Sequence, residues 1–311
     1  MSSQNYKVTR NYSYTKDIYI IYTKYKEYIS RLFLTDDTVD WRLKHIRGFL
    51  YYLDTNKIKI KNITSINVYD YMNNLNNIAI RTREHRAVCI RLFLNYLHDN
   101  NLIKITGNQI FPEIKCYKES TMPSYYTNEE LDKIINSVDI RKPNGKRDLA
   151  ILLLFLKFGL RPRDVRLLKL DNIYWHENKI KIIQSKTNYV NILPLDNDTR
   201  YALLDYLKNE RIISPSEYLF INENGEIYND HFYYNLVNDY LEIANIKIRN
   251  RRHGTYIFRH SLAKQLLDND NGINVIADVL GHSYMEDAKH YTKLNYKELK
   301  KISLEVPTCK N

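Results

Sequence analysis

The chain has 311 residues, 44% apolar and 27% charged, which is enough for one large or two ordinary domains with real cores. Its longest apolar run, Leu149 to Leu156, is far short of a membrane span, the opening MSSQNYKVTR has no apolar stretch of the signal-peptide kind, and three scattered cysteines (Cys89, Cys116, Cys309) exclude a disulfide framework and point to a reducing compartment. The net charge is +11, concentrated early: residues 1–120 hold 19 Lys+Arg against 11 Asp+Glu and the rest 28 against 25, which suggests a polyanionic partner, nucleic acid before membrane.

In chain order, residues 12–33 carry Ile18, Ile20, Ile21, Tyr25, Ile29 and Leu32 at helical spacing. Residues 38–53 follow with Val39, Ile46, Phe49, Leu50 and Leu53, then a third helix after Thr64 and a fourth over about 81–98. Four amphipathic helices with short polar loops predict a helical bundle over 1–110. The fourth helix carries Arg81, Arg83, Arg86 and Arg91, a cationic face that can neutralise phosphates or be no more than a solvated surface. Residues 111–122 read as a linker and 123–311 as a second domain.

The second domain opens with Thr127-Asn-Glu-Glu130, a capping box. Asp148 to Phe158 is apolar on almost every face and should be a buried helix, stopped by Gly159. Pro162 suits the first position of the next helix, and Asp164 its first turn. Lys179–Ile183 and Val190–Leu195 predict a β-hairpin presenting Lys186 at its tip. Helical patterns resume at 199–208 and 231–244. A basic cluster, Lys247, Arg249, Arg251 and Arg252, leads into a helix over 256–268. Ile273–Leu280 follows, then Gly281 and His282, and a capping box of Ser283 and Glu286 before His290 and Tyr291. The 28 tyrosines read partly as biased coding composition, since Asn, Ile and Lys are also rich.

Each chemical residue is weak alone; their order is informative. The chain reads GLRPRD at 159–164, SKTN at 185–188, YIFRH at 256–260 and LGHS at 280–283, with Tyr291 nine residues after His282. This resembles the tyrosine recombinase (phage integrase) family over nearly the whole chain, and Xer-type or simple transposon integrases without an arm-binding domain more than lambda-type ones. The resemblance implies a mainly α fold: a helical core-binding bundle, then a mainly α catalytic domain with a small antiparallel sheet. It implies Tyr291 as nucleophile, forming a 3′-phosphotyrosine link, with Arg161, Lys186, Arg259 and His282 around the phosphate.

The chemistry of the residue types agrees. Recombining DNA without a high-energy cofactor requires a reversible covalent link, which a Tyr phenol provides. Two guanidiniums, Arg161 and Arg259, can clamp the charge that builds on the phosphate. Lys186 on a turn can protonate the leaving 5′-oxygen. His282 can donate to a non-bridging oxygen. Asp164 would orient an Arg, or simply start a helix. His260 is expected to pack locally. One position departs from the family pattern: Tyr256 stands where a His is usual, three residues before Arg259. A phenol can donate to a phosphate oxygen there but cannot be cationic.

None of the nine histidines shows metal-ligand spacing, so no metal and no cofactor is expected. The expected partners are double-stranded DNA recombination sites, bound by a homotetramer that exchanges C-terminal tails between protomers, in the cytoplasm and away from any membrane. Two alternatives stay open: a catalytically inactive DNA-binding relative and a type IB topoisomerase.

Overall fold

The computed structural model describes residues 6–9, 12–75, 78–111, 124–247 and 253–281. Residues 1–119 and 120–311 form two compact units.

The first unit begins with an antiparallel pair, β1 (Tyr6–Thr9) and β2 (Tyr12–Tyr14), followed by α1 (Lys16–Ser30). The helical pattern read from residue 12 therefore starts later than expected. Thr15 is the cause: its N–H and its hydroxyl both bond the Asp54 carboxylate, at 2.7 and 2.6 Å, which anchors the strand-to-helix turn to a residue 39 positions away. Then come α2 (Asp36–Thr55), α3 (Ser65–Asn73), α4 (Ile80–Asp99) and the short α5 (Gly107–Ile110). Thr64 caps α3 in a reciprocal box with Asn67, satisfying two end groups the helix itself cannot. Thr106 and Gln109 do the same for α5, whose Ile110 is buried in this unit's core.

That core is notably aromatic. Tyr14, Tyr22, Tyr25, Tyr71 and Tyr96 are buried with Phe49 and Phe93, and Tyr25 packs at 5.0 Å from the Phe93 ring and 5.1 Å from the Tyr96 ring. Tyrosine abundance is thus packing as well as composition. Burial drives the Tyr14 and Tyr25 phenols well above their ordinary range, so both stay neutral.

The second unit runs α6 (Asn128–Asn136), α7 (Gly145–Phe158), α8 (Pro162–Arg166), a three-stranded antiparallel sheet, α9 (Asn197–Asn209), α10 (Asp230–Ile243), α11 (Thr255–Asp268) and α12 (Ile273–Leu280). The sheet is β3 (Ile173–Tyr174), β4 (Lys179–Ile183) and β5 (Val190–Pro194), in that order. β3 is a two-residue addition to the predicted hairpin. Helix α7 is the central element: Ile151, Leu152, Leu154 and Phe155 are all fully buried. Truncating Phe155 to Ala would cost about 3–5 kcal/mol through lost burial and the cavity left behind. Ala263, Leu267, Ile276 and Leu280 form a separate small cluster joining α11 to α12. No helix among the described residues is long and apolar enough to cross a membrane.

Candidate active site

Helix α7 ends at Gly159, whose φ of +58° is the left-handed C-terminal stop. The chain turns through buried Leu160, and Arg161 becomes the N-cap of α8 with Pro162 at its start. The Arg161 side chain is 12% exposed. It donates from Nη1 to Gln184 Oε1 at 2.6 Å and stands 3.6 Å from Asp164 Oδ2.

Asp164 faces inward and does more than start a helix. Its Oδ1 accepts from the Ser185 backbone N–H at 2.9 Å and from the Ser185 hydroxyl at 2.8 Å. The other oxygen faces Arg161. A buried carboxylate needs such partners, since an unpaired one would be strongly penalised. Asp164 therefore ties the 159–164 turn to the hairpin turn that carries Lys186.

Arg259 lies on α11 and is 4% exposed. Its Nη1 donates to the Gly159 carbonyl at 3.0 Å and its Nη2 to the Leu280 carbonyl. The same Leu280 oxygen accepts from Gln184 Nε2 at 2.7 Å. A continuous path thus runs from Arg161 through the Gln184 amide and the Leu280 carbonyl to Arg259. The hairpin is also pinned to α12, because Asn191 Nδ2 donates to the carbonyls of Asp278 and Val279. Gly281 has φ +61° at the end of α12, and a Cβ there would lie 1.9 Å from Gln184 Nε2. Only glycine fits both the backbone conformation and the space.

The structure gathers Arg161, Asp164, Arg259 and the Lys186 turn within one region of the second unit. Lys186 itself is exposed, as its turn position predicts. Tyr256 is one helical turn before Arg259 but points outward, 57% exposed, while Arg259 is turned into the fold. His260 is half-buried. His282, Tyr291, Arg249, Arg251, Arg252, the Ser283–Glu286 box and the C-terminal tail lie outside the described residues; Lys247 is described and exposed.

The four arginines of α4 do not share one setting. Arg81 and Arg83 are exposed, with Arg83 donating to the Leu75 carbonyl at 3.3 Å. Arg86 and Arg91 are half-buried, and Arg86 Nη1 donates to the Tyr71 hydroxyl at 3.3 Å.

Gln184 is the functional-site residue that the sequence reading passed over. A signal was present: Gln184, just past β4, continues the alternation of Ile180 and Ile182, and all three are buried. Period-two spacing places a polar amide on the inward face, where it must find partners. Among the described residues no three His, Cys, Asp or Glu side chains come together in a way that could hold a metal ion.

The phage integrase family model matches residues 124–298. An integrase/recombinase of Sinorhizobium fredii is 32% identical over 187 residues, covering 60% of this chain and 97% of that protein. The tyrosine recombinase XerC of Thermodesulfovibrio yellowstonii is 26% identical, covering 68% of this chain and 70% of that one. In fold, the chain is similar to the XerH site-specific recombinase solved in a post-cleavage complex with palindromic difH, with a TM-score of 0.72 at 17% identity over 85% of this chain and 78% of that one. With the GLRPRD turn, the SKTN hairpin and Arg259 assembled in one place, these matches identify the chain as a member of the phage integrase family, a tyrosine-type site-specific DNA recombinase.

Proposed function

We propose that the chain binds double-stranded recombination sites and cuts and rejoins them through a 3′-phosphotyrosine link on Tyr291. The observation that carries this reading is the pair of guanidiniums, Arg161 half-buried and Arg259 buried, joined through one amide and one carbonyl. Two cations fixed in one place serve a doubly contacted anion, and the family supplies the anion: a scissile phosphate.

In this scheme the helical unit, residues 1–110, grips the site, residues 111–122 link it, and residues 123–311 carry the chemistry. The Tyr291 oxygen attacks phosphorus and the bond from phosphorus to the 5′-oxygen breaks. Lys186 gives that oxygen its proton, leaving a free 5′-hydroxyl. Arg161 and Arg259 hold the non-bridging oxygens as charge builds, and His282 and Tyr256 donate to them. Asp164 orients Arg161. The partner strand's 5′-hydroxyl then attacks the phosphotyrosine and restores the backbone, so bond energy is conserved without an external energy source. Arg81, Arg83, Arg86, Arg91, Lys247, Arg249, Arg251 and Arg252 contact the DNA backbone. Four protomers form the synapse, exchanging C-terminal tails, and the protein works in the cytoplasm.

The test uses nicked suicide substrates resolved on a denaturing gel. A covalent protein–DNA adduct is expected from the wild-type chain, with strand exchange when two sites are supplied. No adduct would return the chain to a DNA-binding relative without chemistry; relaxation without strand exchange would make it a topoisomerase. Truncation after Asn295 is expected to leave single-site binding and abolish synapsis.

A further inference from the structure

We infer that Gln184 is the positioning residue of this active site, setting both arginines and the Lys186 turn as a single unit; this rests on the recombinase reading above.

The geometry leaves little choice. Gln184 is 3% exposed, and a buried amide is tolerated only when both its ends are bonded. A guanidinium only donates, so the amide oxygen must face Arg161, at 2.6 Å. A carbonyl only accepts, so the amide nitrogen must face Leu280, at 2.7 Å, on the oxygen that Arg259 also uses. Glu would lack the donor and Lys the acceptor. An aliphatic side chain would leave one charge and one carbonyl short of a partner.

The main chain of the same residue holds the hairpin turn. Its N–H donates to the Tyr189 carbonyl at 2.9 Å and its carbonyl accepts from Asn188 N–H at 2.8 Å, closing the base of the 185–188 turn. Thr187 Oγ1 also donates to the side-chain Oε1 of Gln184, at 3.5 Å. On the far side the amide is backed by Gly281, where any Cβ would collide with it. One side chain therefore touches the first arginine, the carbonyl under the second, the turn of the lysine, and the residue immediately before His282. Fixing these groups before substrate arrives removes the reorganisation that would otherwise accompany the reaction.

The test is single-turnover cleavage of a suicide substrate by Gln184→Met, nearly isosteric but unable to make either amide bond. It is run with the normal 5′-oxygen and with sulfur at the bridging 5′ position. A thiolate leaves without needing a proton, so the sulfur substrate bypasses Lys186. Gln184→Met is expected to lower the cleavage rate constant about 10²-fold on oxygen. The loss on sulfur should be smaller but still present, because the arginines remain misaligned. Gln184→Glu keeps the Arg161 bond and is expected to recover part of the rate.

A merely structural role would lower the amount of active protein, seen as burst amplitude, and leave the rate constant alone. Gly281→Ala pushes the same amide from the other side and should reproduce the oxygen-over-sulfur pattern if Gln184→Met fails to fold. A wild-type rate constant in Gln184→Met, or equal losses on the two substrates, would overturn the assignment. The wild-type chain run alongside separates the two readings. No adduct from it defeats the recombinase reading, whereas an active wild type beside a fully active Gln184→Met defeats the positioning role alone.

Discussion

The arginines of α4 and those of the second unit are one residue type in opposite surroundings. Arg81 and Arg83 stand exposed on the first unit, where water screens their charge. Arg161 is half-buried and Arg259 buried, and the two are committed to an amide, a carboxylate and two backbone carbonyls. A charge in water can find a polyanion from a distance and hold it loosely. A charge held in a low-dielectric pocket acts on one atom in one orientation. The contrast separates affinity from rate, and each half can be broken on its own.

The largest effect is expected at the pair Arg161 and Arg259. Arg161→Lys and Arg259→Lys keep the charge but lose the planar fork. Each should lower single-turnover cleavage by about 10²- to 10³-fold with affinity for an uncleaved site little changed. A variant that loses binding and keeps its cleavage rate at saturating DNA would place these arginines with the α4 set.

Tyr256 falls between the classes, on the helix of Arg259 but exposed. If its hydroxyl meets the phosphate, Tyr256→Phe should cost about 10²-fold in cleavage rate and Tyr256→His should retain most activity. A silent Phe variant would remove Tyr256 from the site.

At the exposed set the readout changes from rate to salt dependence. Replacing Arg81 and Arg83 together by Ala should reduce the slope of log affinity against log salt by about 1.8, since each neutralised phosphate releases about 0.9 of a counterion. Cleavage at saturating DNA should stay unchanged. An unaltered slope would make that face a solvated surface.

The smallest effect sharpens the intermediate case, Arg86. Burial, and then the electrostatic influence of Arg86, His85 and Lys44, hold the His45 ring below its ordinary pKa. The folded state therefore prefers neutral His45, and the unfolded chain binds more protons in the window just below pH 6.5. Stability of the first unit should be fully present above that value and decline as pH falls below it. His45→Gln should flatten this dependence in thermal melts. An identical acid profile in the variant would show that another group is responsible.

Much of this arrangement was legible in the sequence where the signal was local. The helices α2, α3 and α4 follow from apolar spacing, α7 from a segment apolar on almost every face, α6 from the Thr127–Glu130 box, and the Gly159 stop and Lys186 turn from turn chemistry. The unread parts depend on distant partners. The helical pattern over 12–33 takes in β2, and β1 carries no pattern of its own, because the turn that separates strand from helix is held by Asp54. Gln184 looked like one more polar residue beside a turn, because its partners, Arg161 and Leu280, lie 23 and 96 positions away. The four α4 arginines looked equivalent until Tyr71 drew Arg86 inward.

The central claim is that the linked pair Arg161 and Arg259 serves a phosphate attacked by Tyr291. The direct measurement is tryptic digestion and mass spectrometry of the covalent adduct trapped on a suicide substrate. Cleavage after Lys289 and Lys293 releases His290-Tyr291-Thr292-Lys293. The account predicts that this peptide carries the DNA through Tyr291, and that Tyr291→Phe binds the site but yields no adduct. DNA attached to any other tyrosine, or an adduct that persists in Tyr291→Phe, would contradict it.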